Sequence, residues 1–156
     1  MTGKSIYMFA ALFAGAVLPL QALINARLGT AVGGASSASA ISFAVGTLGL
    51  MVFLAVTKMP NFNTAQLASL PWWAWIGGLL GAYFVATATM TAPVLGAASM
   101  VALVIGGQVV ASLFLDHYGI MNEAQPINWQ KAGGALLLIA GVYMITRPTP
   151  TDIPWA

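Results

Sequence analysis

Five long apolar runs crowd a chain of 156 residues, and that pattern alone removes most folds. The runs occupy residues 6–24, 40–57, 72–90, 94–115 and 129–146 and hold 18 to 22 residues each. A helix rises about 1.5 Å per residue, so every run is long enough to cross a hydrocarbon core about 30 Å thick. A soluble core has no room for so much apolar surface. Hydrophobic residues make up 60% of the chain and charged residues 5%, against about 25% charged in soluble domains. The sequence therefore predicts an all-α polytopic membrane protein: a single membrane domain over 1–156, with five transmembrane helices and the lipid bilayer as its first partner.

Scarcity of charge also narrows function. A formal net charge of +2 rests on five basic and three acidic residues, which is no basic patch, so no nucleic-acid partner is expected. With no cysteine, disulfides, thiolate metal sites and thiol catalysis are out. One histidine and three acids spread along the chain assemble neither a metal cluster nor a nucleophile–base pair, and the expectation is no enzyme, no cofactor and no metal. Lys4 ahead of an apolar run and the small residues Ala14, Gly15 and Ala16 have the form of a signal peptide. The n-region carries one charge, however, and the run continues past that point, so the expectation is a retained first span.

The connections are short, at 27–39, 58–71, 91–93 and 116–128. A three-residue turn over 91–93 predicts antiparallel third and fourth spans, with Pro93 in the first turn of the fourth, where it costs no hydrogen bond. The proline-rich residues 148–156 read as an end without secondary structure. If the N-terminus marks side one, Lys4, Lys58 and Lys131 fall on side one and Arg27 and Arg147 on side two. Orientation follows the excess of Lys and Arg in short cytoplasmic loops, and three against two is close to no instruction. The chain inserts either weakly N-in or both ways round. Insertion both ways gives an odd number of spans a purpose, because many transporters pair two halves about an axis in the membrane plane. Five helices would be one half and an antiparallel homodimer the whole.

Several segments resemble a known family. Gln21, Asn25 and Leu28 in QALINARLG resemble the Q-x-x-x-N-x-x-L pattern of the YdcZ-like family, five-helix members of the drug/metabolite transporter superfamily. PWWAWIGGLLGAYFV in the third span and GQVVASLFLDHYGI in the fourth are similar to the same family's most recognisable block. GALLLIAGV in the fifth resembles the closing helix found across the superfamily and the dimerisation helix of the small multidrug resistance proteins. The resemblance implies one half of a ten-helix inverted-repeat transporter, assembled from two chains, that moves small molecules across a bacterial inner membrane. The glutamate that small multidrug resistance proteins carry in their first span has no counterpart here, which puts cation–proton antiport by that route in doubt.

Polar residues within the spans are the candidate site. Gln21 and Asn25, four apart, share a helix face; they serve either as interhelical hydrogen-bonding groups or as contacts for a polar solute. Pro19 just before them is expected to open the backbone. Gln108 follows Gly106 and Gly107, which admit either a close helix or a ligand. Counting about 1.5 Å per residue from the ends of the runs, Gln21 is about 22 Å and Gln108 about 11 Å from side one, and inversion carries the latter to about 19 Å. That near-match predicts a site shared between inverted chains. Trp72, Trp73 and Trp75 mark the membrane interface, with Trp75 and Tyr83 as candidate cavity-lining residues. Gly77 and Gly81, and Gly134 and Gly141, allow close helix packing, the second pair across a dimer. Ser36, Ser37, Ser39 and Ser42 cap the second helix or line a vestibule. Asp116 and His117 read as a helix-end anchor before a coupling site, and Arg27 as a snorkelling residue before an anion attractor. The expected function is alternating-access transport of a small polar solute, neutral or anionic, by an antiparallel dual-topology homodimer. The alternatives are a dual-topology channel and a subunit that needs a paralogous partner.

Overall fold

The computed structural model describes residues 3–57, 67–120 and 123–147. Lys58 and the tail 148–156, both used in the reading above, lie outside the described residues. Five long helices carry the fold: α1 (Gly3–Val32), α2 (Ala35–Val56), α3 (Ile76–Leu95), α4 (Ala97–Tyr118) and α5 (Trp129–Thr146), with a 3₁₀ turn at Trp72–Trp75 leading into α3. Among the described residues there is no strand. The chain divides into two compact units, Met1–Val94 and Leu95–Ala156.

Helices α1 to α4 each have the length and apolarity to cross a membrane. Helix α5 has the predicted bounds and 18 residues, about 27 Å of rise, but opens on the polar turn Trp129–Gln130–Lys131. Asn128 caps it by accepting a hydrogen bond from the Lys131 N–H at 2.8 Å.

The first connection departs most from expectation. Instead of a loop over 27–39, α1 runs on to Val32 and α2 begins at Ala35. Ala26, Arg27 and Leu28 are good helix formers, and nothing stops the helix before Gly33 and Gly34, which take φ values of 87° and 124°. Gly34 N–H donates back to Gly29 O at 2.8 Å, the bond that closes a left-handed helix end. A Cβ on Gly29 would lie 3.3 Å from the Gly34 backbone, so the tight closure depends on glycine at that position too. Arg27 therefore sits inside α1, and Ser36, Ser37 and Ser39 sit inside the first turns of α2. No side chain caps α2; the buried Ser39 hydroxyl donates to Ala35 O at 2.8 Å instead.

Both interior prolines are carried without a break. Pro19 lies within the continuous α1, so the backbone is not opened there and only the ladder bond to the Gly15 carbonyl is forgone. Pro93 does not start the fourth helix but sits in the last turn of α3. The turn comes three residues later, at Gly96, with φ 78°. This moves α4 to Ala97–Tyr118 and brings Asp116 and His117 into its final turn.

Helix α4 ends at Gly119, φ 64°, whose N–H donates to Asp116 O at 3.2 Å while Ile120 N–H donates to Leu115 O at 2.9 Å. A Cβ there would meet Ala124 at 3.1 Å. The left-handed conformation costs a non-glycine residue about 1–2 kcal/mol before any clash. Gly119→Val is thus expected to lower the apparent melting temperature in detergent by several degrees, and an unchanged transition would refute this account of the helix end.

Within the units, α1 packs on α2 and α4 on α5. Gly106 of α4 gives α5 its close approach, since a Cβ on it would lie 3.3 Å from a Val142 methyl. On α3, the buried positions Val85, Ala88, Thr89 and Ala92 recur at helical spacing, and Gly81 faces the Phe43 ring of α2, 3.6 Å from where a Cβ would be.

Candidate functional site

The site grows from a stripe on α1. Leu18, Gln21, Ala22 and Asn25 follow the three-and-four spacing that puts residues on one helix face. With Phe84, Val85 and Ala88 of α3 they line a cavity of about 10 Å³, room for a single water. Asn25 is 3% exposed. Its Nδ2 is buried and has no hydrogen-bond partner among the described residues. The other two buried polar side chains are satisfied locally: Ser39 donates to Ala35 O, and Thr89 donates to Val85 O at 2.7 Å. An amide left unpaired in an apolar interior costs about 1–3 kcal/mol, and where packing could remove that cost, its persistence points to a use.

Gln21 turns toward a second space as well. With Ser42, Thr47, Phe43, Gly46 and Leu50 of α2 it lines a groove of about 190 Å³. On the far side of Phe43, the residues Ser36, Ser39, Ala82 and Ala86 line another of about 210 Å³. Helices α1 and α2 thus bring amides and hydroxyls to these spaces, and α3 contributes apolar walls. Chemically the set offers hydrogen-bond donors and acceptors, which suits recognition of a polar group.

The structure brings Gln21 and Asn25 to one cavity, whose lining includes no other sequence candidate among the described residues. Trp75 belongs to the 3₁₀ turn at the end of the span, and Tyr83 is 73% exposed; neither lines the three cavities just described. Gly77 has open space where a Cβ would point, as do Gly134 and Gly141, whereas Gly81 is occupied by Phe43. His117 Nδ1 accepts the Ile127 N–H at 3.3 Å, and Asp116 O accepts Gln125 N–H at 2.7 Å, so both residues fasten the 123–128 segment to the end of α4. Arg27 is exposed.

Gln108 lies in the other unit, exposed and without a side-chain hydrogen bond among the described residues. The shift of α4 changes its depth: the helix's 22 residues divide at the Gly107–Gln108 bond, with 11 (97–107) before and 11 (108–118) after. A residue at mid-span keeps its depth when a chain is inverted, so the depth comparison with Gln21 no longer singles out an inverted copy. Sequence reading missed Thr47, Phe43, Phe84 and Val85. The recurrence of 85, 88, 89 and 92 along α3 was the available signal for the last of these.

Residues 6–144 match the family described as "Putative inner membrane exporter, YdcZ". The chain belongs to the YdcZ family. The match runs from the first turns of α1 nearly to the end of α5. The chain is also similar to the inner membrane protein YdcZ of Escherichia coli (strain K12), 27% identical over 104 residues that cover 64% of this chain and 69% of that protein. No solved structure matches it. As a YdcZ family member with four helices fit to cross a bilayer, it is a multi-pass protein of the bacterial inner membrane and a membrane transporter.

Proposed function

We propose that the chain exports a small polar solute, neutral or anionic, by alternating access, and that it works as an antiparallel homodimer of oppositely inserted copies. The observation that carries the solute reading is Gln21, which lines a groove of about 190 Å³ with Ser42 and Thr47 and borders the small cavity of the buried Asn25 amide, unpaired among the described residues. The export direction follows the family's description. A neutral or anionic solute fits because the described acids, Asp116 and Glu123, lie in the last turn of α4 and in the connection after it; no carboxylate within the membrane waits for a cation. Near-balanced basic residues and the five long helices among the described residues support opposite insertion. The open faces at Gly134 and Gly141 support packing of α5 against a helix of another chain.

The test is reconstitution of the purified chain. A thermal-shift screen against a metabolite panel identifies a solute that stabilises the folded protein. Liposomes holding the chain should then show saturable uptake and counterflow of that solute. Gln21→Leu should abolish both while leaving the melting temperature of the ligand-free protein close to its original value. Flux that fails to saturate would replace the transporter with a pore. No activity until a second, paralogous chain is added would replace the homodimer.

A further inference from the structure

We propose that two inverted copies meet along the Val104–Gly107–Gln108–Ala111 face of α4, with their Gln108 amides hydrogen-bonded to each other at the middle of the bilayer. This rests on the antiparallel reading above and adds the surface and the register.

Gln108 is exposed halfway along a membrane helix and has no hydrogen bond within the chain among the described residues. Lipid tails offer an amide nothing, so such a group has to find a protein partner. Its position selects the kind of partner. When two copies are related by a two-fold axis in the membrane plane, that axis runs at mid-depth, and a residue meets its own counterpart only if it lies there. Gln108 stands at the middle of α4, with 11 residues of the helix on either side of the bond preceding it, so a symmetric placement of α4 in the bilayer puts it at that depth. The chemistry agrees with the symmetry. A primary amide carries donor and acceptor together and is complementary to itself, where a carboxylate or ammonium facing its own copy would repel.

The surrounding face fits the contact. Residues 104, 107, 108 and 111 have the i, i+3, i+4, i+7 spacing of a helix-packing seam. Gly107 has no atom within 4 Å of where a Cβ would be, and with Ala111 it forms the small-x-x-x-small pattern that lets membrane helices approach. Gly106, about 200° away from Gln108 around the helix, is the position that receives Val142 of α5. Gln108 is therefore turned away from Val142, while Gly107 and Ala111 also border the apolar groove that α4 forms with Ile139 and Val142 of α5.

An antiparallel contact centred between 107 and 108 pairs residue 104 with residue 111 of the other copy, as both stand three and a half residues from the centre. The chain contains no cysteine, so single thiols can be placed without background. Gln108→Cys, Val104→Cys and Ala111→Cys are expressed in native membranes and oxidised with copper phenanthroline. Gln108→Cys should form a disulfide dimer. Val104→Cys and Ala111→Cys should each fail alone, because like positions are about 10 Å apart along the axis and a disulfide needs Cα atoms within about 7 Å. Expressed together, they should give a mixed dimer in large excess over either self-dimer. Self-dimers at 104 and 111 without the mixed species would show parallel packing and overturn both this contact and the antiparallel reading. Absence of any disulfide, with all three thiols still labelled by a maleimide and a C-terminal reporter still found on both membrane faces, would overturn the contact alone.

Discussion

Forcing every copy of the chain to insert the same way round is expected to abolish transport. The basic residues give little instruction, since the five-span reading of the sequence puts Lys4, Lys58 and Lys131 on one side and Arg27 and Arg147 on the other. Two extra lysines after Met1 should therefore hold the N-terminus in the cytoplasm, and replacing Lys4 and Lys58 with neutral residues should send it out. A C-terminal reporter checks each orientation. Each biased variant alone should lose essentially all saturable uptake, and the two expressed together should recover it, since only then does each copy find an inverted partner. A biased variant that transports by itself would sink the antiparallel homodimer.

Asn25→Leu should make the protein more stable and inactive at once. Leucine keeps the branched skeleton of asparagine and removes an Nδ2 that has no partner, so the expected gain is the desolvation cost of that group, about 1–3 kcal/mol, seen as a higher melting temperature without ligand. The same change removes a donor from the cavity shared with Gln21, so uptake and ligand-induced stabilisation should both vanish. If the amide were instead a tie between helices, leucine would lower the melting temperature. The two readings differ in sign, which makes a thermal melt on one variant decisive.

The helices were legible in the sequence because a bilayer demands long apolar runs and the chain has little else. Helix α5 ran over the residues its hydropathy indicated. The ends were less legible, and for one reason: hydropathy marks where lipid stops, while backbone conformation decides where a helix stops. At 27–39 the polar and small residues suggested a loop, but only Gly33 and Gly34 adopt conformations that end a helix. Likewise Pro93 looked like a beginning and was tolerated as an ending, with Gly96 making the turn. Gln21 and Asn25 could be paired from their spacing, since helical periodicity is local. That Phe84 and Val85 would close over them could not, because contacts between helices depend on rotations and tilts that a single sequence does not state.

At 30 residues α1 is about 45 Å long, half as long again as the hydrocarbon it crosses. Burying all of it would need a tilt of about 48°, outside the usual range of 0–40° for membrane helices, and because its apolar run covers residues 6–24, the Gly33–Gly34 end is the part expected to stand clear of the acyl chains. The α1–α2 hairpin then resembles a float more than a fixed post. A thicker membrane draws more of that end into the hydrocarbon until Arg27 resists, and a thinner one releases it. Gln21 and Asn25 ride on the same rigid helix, so the height of their cavity above the opposite leaflet varies with the lipid. Chain length and sterol-like thickening of the host membrane become physical settings of the site.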